Sequence, residues 1–222
     1  ERPHLMFMHS PAVNVQNIAV NGFGRTDKSV PLNDPIVING VLQSGTGKNA
    51  RARYAMHFHH TGVNPTIAPA VVKGSVVIGS PGWGYVNHSS NVLMENNVAV
   101  GVYGSSFVTE DGNEIGSMSR NLSLGTIGAR EGIGERRAIH DFGYRGNGFW
   151  MQGPGVSLID NVATGNRGAG FAYFTASSKN RFDAVNLENP ALAAGHAAIP
   201  VGAVPLREFS GNIAYGSRTG LE

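Results

Sequence analysis

The chain of 222 residues has room for one ordinary domain, and 41% hydrophobic with 14% charged residues is a globular composition. A net charge of +2 argues against a surface built for nucleic acid, the absence of cysteine excludes disulfide and thiolate chemistry, and no apolar run reaches the roughly 18 residues of a membrane span. The 31 glycines and the scarcity of helix formers favour short strands joined by tight turns, which predicts an all-β chain.

A motif of asparagine, an aliphatic residue and a small residue recurs along the chain. It occurs at residues 17–19, 97–99, 121–123, 161–163 and 212–214. A second unit is a glycine-rich turn followed by an aromatic residue, and the pairs Tyr85/Phe107 and Phe149/Phe171 are each 22 residues apart. A repeat of this length built from short strands predicts one coil of a parallel β-helix. We expect the motif asparagines to tolerate left-handed backbone and to form a hydrogen-bonded ladder between coils.

We predict a single β-helix domain over residues 1–222, interrupted by long inserted loops. The segments that depart from the coil pattern are 24–52, 126–144 and 190–203. Loops of this length on a solenoid usually lie on one side and wall a groove. Neither end of the sequence looks like a cap, so we expect a fragment of a longer chain whose other parts carry further domains.

The segment RYAMHFHHTG at residues 53–62 is the most informative part of the sequence. Strand alternation turns its tyrosine, methionine and phenylalanine to the core, and it turns Arg53, His57 and His59 to solvent. Two imidazoles at positions i and i+2 of one strand face are about 7 Å apart at Cα and can converge on one ligand.

Alignment of the coils on their aromatic residues predicts which side chains stack on each other. The inward column contains Met56, Tyr85, Phe107, Phe149 and Phe171. The neighbouring outward column contains His59, His88, Glu110 and Gln152, with His57 and Trp150 beside it. The spacing from Met56 to Tyr85 is seven residues longer than one repeat, and we assign the extra residues to the loop at 63–70.

Imidazoles next to a carboxylate suit two kinds of chemistry. His57, His59, His88 and Glu110 can bind a divalent metal such as zinc, calcium or another ion. The same groups can instead act as general acid and base without a metal.

Further polar and aromatic residues near this column are candidates for glycan cleavage and binding. Asp111 and Glu114 add carboxylates that can pair with Glu110 in glycosidic cleavage. Trp150 on the same face offers a platform for a sugar ring, and Gln152 and Glu114 are further candidate substrate contacts.

Other residues are assigned structural roles. Residues 110–112 (Glu-Asp-Gly) can also form an ordinary turn. The remaining histidines, His4, His9, His140 and His196, are interpreted as structural or solvated. The methionines at 6, 8, 56 and 151 are interpreted as core residues.

Residues 53–62 resemble the Arg-Tyr-x-x-His-Phe-His-x-x-Gly signature of the family of the cell-migration-inducing hyaluronidase, its transmembrane relative and the fibrocystin-like proteins. Residues 86–88 and 107–112 resemble later segments of the same family, and the likeness is clear over 53–124 and weaker over 142–222. The missing cysteines are expected of a bacterial homologue. The resemblance implies a right-handed parallel β-helix, a secreted or cell-surface location and, in the best-known members, cleavage of hyaluronan.

These observations favour a polysaccharide substrate and hydrolysis of an acidic glycan at His57, His59, His88 and Glu110. One alternative is a polysaccharide lyase, in which Arg53 neutralises the uronate and His57 or His59 removes a proton. A second alternative is a non-catalytic glycan-binding or adhesion module.

Overall fold

The chain winds into stacked coils of short parallel strands, three sheets to a coil. The computed structural model describes residues 2–129, 141–174, 181–183, 193–200 and 203–222, with the backbone alone described at 181–183. No α-helix occurs in these ranges, and none of their residues forms a helix long and apolar enough to span a membrane. The all-β parallel β-helix predicted from the sequence is therefore confirmed.

Each sheet takes one strand from successive coils. The first sheet contains β1 (Leu5–Met8), β6 (Met56–Gly62), β9 (Tyr85–Glu95), β11 (Phe107–Thr109), β14 (Phe149–Met151), β17 (Ala169–Tyr173) and β22 (Thr219–Leu221). The second contains β2 (Asn14–Gln16), β7 (Ala70–Lys73), the later part of β9, β12 (Ile115–Ser119), β15 (Ser157–Ile159) and β20 (Phe209–Ser210). The third contains β3 (Ala19–Asn21), β8 (Val76–Ile78), β10 (Val98–Val100), β13 (Leu122–Leu124), β16 (Val162–Thr164) and β21 (Ile213–Tyr215).

The aromatic column lies in the core with the predicted register. Met56, Tyr85, Phe107, Phe149 and Phe171 are Cα partners in turn from β6 to β17. Their aromatic rings stack with centroids 4.9, 4.7 and 4.8 Å apart, which is the spacing of neighbouring strands. The strand spacing thus brings identical positions of successive coils into direct contact.

The extra residues between the second and third coils lie in two places. A bulge in β6 accommodates one of them between His59 and Gly62. Gly62 and Ala70 are eight positions apart, whereas their partners Ser90 and Val92 are two apart. The other six extra residues therefore lie in the loop between Gly62 and Ala70. The loop at 63–70 was therefore predicted correctly except for the bulge.

The asparagine ladder is present and runs through four coils. Asn97 Nδ2 donates to Asn121 Oδ1 at 3.0 Å, Asn121 Nδ2 to Asn161 Oδ1 at 3.0 Å, and Asn161 Nδ2 to Asn212 Oδ1 at 2.9 Å. Each of these oxygens also accepts the backbone N–H of the asparagine in the preceding coil. The side chains thereby satisfy buried amides that the three-residue strands leave unpaired.

Two expectations about this motif were wrong. Asn17 is outside the ladder, because Ala19 is the Cα partner of Val76 and this register places Ile18 at the ladder position. The left-handed backbone belongs to the residue before the ladder position, as at Asn96 and Arg120, both with φ of 54°. Of the motif asparagines only Asn17, which is one residue out of register, has this conformation. A second left-handed position follows each strand of the third sheet and is always glycine: Gly22, Gly79, Gly101, Gly125, Gly165 and Gly216.

The outward side of the first sheet is covered in part by a second apolar cluster. Val86, Val108 and Trp150 lie beneath Tyr54 and Trp83, with Phe142 packed against the cluster. We expected this face to meet solvent, but the relative exposure of Trp150 is only 4%. Strand alternation gave the correct side of the sheet for Trp150 but not for Tyr54, which was expected in the core and instead lies in this outward cluster. It could not show that aromatic side chains from neighbouring segments cover that side.

The inserted segments are described to different extents. Segment 24–52 contains a hairpin of β4 (Val37–Ile38) and β5 (Val41–Leu42) whose turn has positive φ at Asn39 and Gly40. In segment 126–144, residues 130–140, including His140, lie outside the described residues. Residues 190–192 and 201–202 of the third segment also lie outside them, and β19 (Ala198–Pro200) pairs antiparallel with β18 (Arg181–Asp183).

Candidate active site

Three neighbouring coils of the first sheet bring the predicted histidines and carboxylates together. His59 in β6 and His88 in β9 are Cα partners. Glu110 directly follows β11 and donates its backbone N–H to Asn87 O at 3.1 Å, which continues the strand pairing by one residue. Residues far apart in sequence become neighbours because the coils stack in register.

The side chains of this column converge on one point. His59 Nδ1 and His88 Nδ1 are 3.0 Å apart, and His88 Nδ1 is 3.1 Å from Glu110 Oε2. His57 Nε2 lies 3.6 Å from the same Glu110 oxygen. His57, His59 and His88 each offer a ring nitrogen, and the three nitrogens lie within 4.8 Å of one another.

His57 is the buried member of the group, contrary to the expectation that it faces solvent. Its side chain has 0% exposure because Tyr54 packs against it with ring centroids 5.4 Å apart. His57 Nδ1 lies 2.9 Å from Ala52 O. Since a carbonyl oxygen only accepts, Nδ1 carries the ring proton and Nε2 presents its lone pair to the convergence point.

Two buried atoms at this point make no well-directed hydrogen bond among the described residues, although one of them is in ion-pair contact with His88 Nδ1 at 3.1 Å. They are His57 Nε2 and Glu110 Oε2. Buried polar atoms are nearly always hydrogen-bonded, so each orphaned atom calls for an explanation. A bound ion or water at the convergence point satisfies both atoms at once.

The electrostatics of the group separate its imidazoles into two kinds. Burial, followed by the charge of His88, lowers the pKa of His59 to about 4, and burial also lowers the pKa of His57 to about 4. Burial opposes charging of His88 as well, but contacts with Asp111 and Glu110 outweigh it and raise its pKa to about 10. Burial favours protonated Glu110, but the neighbouring His88 outweighs this effect and holds the Glu110 pKa below its usual range.

The open side of the site is formed by His60, His88 and Asp111. The His60 residue is exposed, and the His88 and Asp111 side chains each keep 14% of their accessible surface. Asp111 Oδ2 lies 3.3 Å from His88 Nε2 and accepts a hydrogen bond from Ser89 Oγ at 2.6 Å. Any substrate therefore approaches from this side and not over His57.

The sequence had suggested Glu114 as a substrate contact, but the structure buries its side chain beneath a turn. It is 2% exposed, and Oε1 accepts backbone N–H bonds from Ser89, Glu110 and Asp111 at 3.1, 3.1 and 2.6 Å. Oε2 accepts a fourth from Gly112 at 2.7 Å. The carboxylate holds the turn that carries Glu110 and Asp111, and the turn signal in residues 110–112 could have revealed this role.

The other predicted substrate contacts are also placed away from the open side. Trp150 is covered by Phe142, with ring centroids 4.6 Å apart at an interplanar angle of 11°. Gln152 is 0% exposed, and neither side-chain amide atom has a hydrogen-bond partner in the described part of the chain. The Arg53 guanidinium donates to Arg51 O at 3.4 Å, toward the inserted segment rather than toward the imidazoles.

Two methionines that were expected in the core lie beside the site instead. Met6 and Met8 of β1 are the Cα partners of His57 and His59, and Met8 is 50% exposed. Leu5 and Phe7 occupy the inward positions of this strand. Alternation in β1 is compatible with either face, because every residue of the strand is apolar.

Comparison with known proteins assigns the fold to a family. The family model of the CEMIP β-helix matches residues 32–221. The chain belongs to the CEMIP β-helix family. No curated protein and no solved structure matches the chain. The match includes the whole 53–62 motif and all the converging side chains of this CEMIP β-helix, so the predicted resemblance is confirmed.

Proposed function

We propose that this CEMIP β-helix cleaves an acidic polysaccharide by hydrolysis, outside the cell, at the site formed by His57, His59, His88 and Glu110. The observation that carries the proposal is the convergence of three ring nitrogens and one carboxylate oxygen at a point bordered by partly exposed side chains. Membership of the family supports a hyaluronan-like glycan as the substrate class.

The donor set fits a transition metal of the zinc type better than calcium. Imidazole nitrogens suit zinc and copper, whereas calcium takes six to eight oxygen ligands. Metal–nitrogen bonds of about 2.0 to 2.1 Å place two nitrogen ligands of one tetrahedral ion about 3.3 to 3.4 Å apart. The 3.0 Å between His59 Nδ1 and His88 Nδ1 is slightly shorter, so a small outward movement of the rings brings the two nitrogens to this spacing.

Each side chain has a defined part in the proposed reaction. His57, His59 and His88 would hold the metal ion, which would supply a bound water of lowered pKa. Glu110 is ionised and accepts a proton at Oε2, and the Ala52 carbonyl fixes the ring of His57. In hydrolysis the water hydroxyl adds to the anomeric carbon and a proton passes to the departing oxygen. The proton that Glu110 takes from the water is the one that passes to the departing oxygen.

Incubation of the purified protein with a panel of glycans tests the proposal. We expect new reducing ends from hyaluronan or another uronate-containing glycan, without the ultraviolet-absorbing double bond of a lyase product. Chelation should abolish turnover and zinc should restore it. His88→Ala should be inactive, whereas His196→Ala, which alters an exposed histidine, should retain full activity.

Three results would contradict parts of the proposal. An absorbing product means β-elimination by a lyase. Glycan binding without any new ends means a binding module. Full turnover of protein shown by elemental analysis to be metal-free means acid–base catalysis by the same residues without an ion.

A further inference from the structure

His88 presents its second ring nitrogen to a second group of metal-binding side chains. His60, His88 and Asp111 each offer a ligand atom, and these atoms all lie within 4.8 Å of one another. His88 Nε2 is 3.3 Å from Asp111 Oδ2. His88 Nδ1 faces His59 and Glu110, so the two nitrogens of one ring face two different groups.

His60 joins this group because the backbone of β6 is irregular. In a regular strand, consecutive residues point to opposite faces, so His59 and His60 would diverge. His60 has a φ of 49° and lies in the bulge between His59 and Gly62. Its ring centroid is consequently 4.4 Å from that of His59 and 4.6 Å from that of His88.

The side-chain oxygen atoms of Ser89 and Asn113 lie next to the same group. Ser89 also has a positive φ, of 46°, and its hydroxyl oxygen lies 2.6 Å from Asp111 Oδ2 and 3.0 Å from Asn113 Oδ1. The residues are accessible, since His60 is exposed and the Asp111 side chain retains 14% of its surface. Three protein ligands with open positions are the usual arrangement of a catalytic zinc ion.

We propose that His60, His88 Nε2 and Asp111 bind a second divalent transition-metal ion, with the His88 ring bridging it to the first. The inference deepens the proposed function, because the two ions share His88. Binding of the second ion requires loss of the Nε2 proton of His88 to solvent, after which each ring nitrogen donates one lone pair to one ion.

A simpler role for Asp111 is to orient His88 by accepting its Nε2–H, as carboxylates often do behind a metal-binding histidine. The distance of 3.3 Å is longer than the 2.7 to 2.9 Å of a charge-assisted hydrogen bond. An orienting carboxylate also requires no second imidazole, yet the bulge brings His60 to the same place. The geometry therefore favours a second ion over orientation alone.

Zinc titration of metal-free protein, followed by calorimetry and elemental analysis, tests the proposal. We expect two zinc ions per wild-type chain. His60→Ala should bind only one, with the second site weakened at least tenfold. His57→Ala should weaken the other site. His9→Ala is the matched control, because its ring lies 6.2 Å from His60 and belongs to neither group, and it should bind two ions.

The possible outcomes separate this inference from the proposed function. If the wild type binds one ion, and this ion is lost in His57→Ala but retained in His60→Ala, the second site is overturned and the first site stands. If the one ion is lost in His60→Ala but retained in His57→Ala, the second site is supported and the first is overturned. If the wild type binds no ion, both metal sites are overturned. A circular dichroism spectrum like that of the wild type shows that each variant is folded.

Copper tests the bridge itself. Two copper(II) ions joined by one imidazole ring couple magnetically, so the second equivalent should lower the paramagnetic resonance signal of the first. Signals that simply add for two bound equivalents would overturn the bridge. The same titration of Asp111→Asn should give one equivalent with an undiminished signal, and two equivalents there would remove Asp111 from the site.

Discussion

His59 and His88 direct their Nδ1 atoms at each other across two adjacent coils, 3.0 Å apart, although 29 residues separate them in sequence. Without an ion, one nitrogen has to carry a proton and the other has to accept it. Glu110 Oε2, 3.1 Å from His88 Nδ1, favours the proton on His88. A metal ion relieves this arrangement by accepting lone pairs from both rings, which is why the pair is the centre of the proposed site.

Replacement of His88 by alanine should remove metal binding and turnover together. We also expect metal-free His88→Ala to lose about 1 to 3 kcal/mol of unfolding free energy, because Glu110 and Asp111 lose their charged partner in a largely buried setting. Substitution of an exposed residue usually changes stability by about 0.5 kcal/mol or less. Urea denaturation of the chelated proteins measures the difference.

His196→Ala is the control for this prediction, since His196 is exposed. Its stability and metal content should match those of the wild type. Retention of zinc and turnover by His88→Ala would remove His88 from the site, and an unfolded variant would show that its role is structural.

Glu114→Gln should disorganise the site although Glu114 does not face it. The carboxylate accepts four backbone N–H bonds, and glutamine has only one oxygen for them while its amide N–H₂ opposes the Gly112 N–H. We expect a loss of roughly 2 to 4 kcal/mol of unfolding free energy and weaker zinc binding through displacement of Glu110. Denaturation and zinc titration check both effects.

The matched control for Glu114→Gln is Glu208→Gln, which changes an exposed carboxylate. It should alter neither stability nor zinc affinity. Equal behaviour of the two variants would show that the four hydrogen bonds to Glu114 do not hold the site.

Periodicity made the coil register predictable from sequence. The 22-residue spacing and the inward aromatic residues defined the stacking of Tyr85 on Phe107 and of Phe149 on Phe171, and both stacks are present. The ladder position of Ile18 was not predictable in this way, because Asn17 matches the motif but is one residue out of register. A short motif does not define register where a strand has only three residues.

Exposure was harder to predict than register. Alternation gave the correct side of the sheet for His57 and Trp150, but Tyr54, Trp83 and Phe142 cover that side. The role of Glu114 was also missed, because four backbone amides from two coils have to meet before their shared acceptor is recognisable. Burial by other segments and convergence of backbone groups are tertiary properties that a local pattern does not contain.

Asn121→Ala should show how much the ladder contributes to stability. Its side chain donates to Met94 O and Asn161 Oδ1 and accepts from Asn97, so alanine leaves several buried polar groups unpaired. We expect a loss of roughly 2 to 4 kcal/mol in urea denaturation. Asn212→Ala, at the half-buried end of the ladder, should cost less, about 1 kcal/mol. Equal losses would show that burial does not determine the cost.

Trp150→Ala should act on folding and not on sugar binding. The side chain is 4% exposed and stacks on Phe142, and removal of a buried aromatic ring costs about 3 to 5 kcal/mol. Phe174→Ala, which changes a ring that is 43% exposed, should cost much less. A Trp150→Leu protein with wild-type stability and a raised KM would restore the interpretation of Trp150 as a sugar platform.

Tyr173→Phe should remove a loss of stability at alkaline pH. Burial raises the pKa of Tyr173 to about 12, against about 10 in an unfolded chain. Between these two values the unfolded state releases the phenolic proton while the native state keeps it. The unfolded state then binds fewer protons than the native state. The stabilising contribution of Tyr173 to the free energy of unfolding is therefore fully present below pH 10 and is lost as the pH rises toward 12. The Tyr173 contribution to this loss should reach about 2 kcal/mol. Burial also raises the pKa of Tyr54 and Tyr85, so Tyr173→Phe should keep their alkaline loss and lose only the part that Tyr173 contributes. The hydroxyl has no hydrogen-bond partner in the described part of the chain, so the variant should be as stable as the wild type at neutral pH.

Denaturation at neutral and alkaline pH measures both effects, with Tyr215→Phe, which changes an exposed tyrosine, as the control. A parallel alkaline loss in wild type and Tyr173→Phe would show that Tyr173 is not the group that titrates.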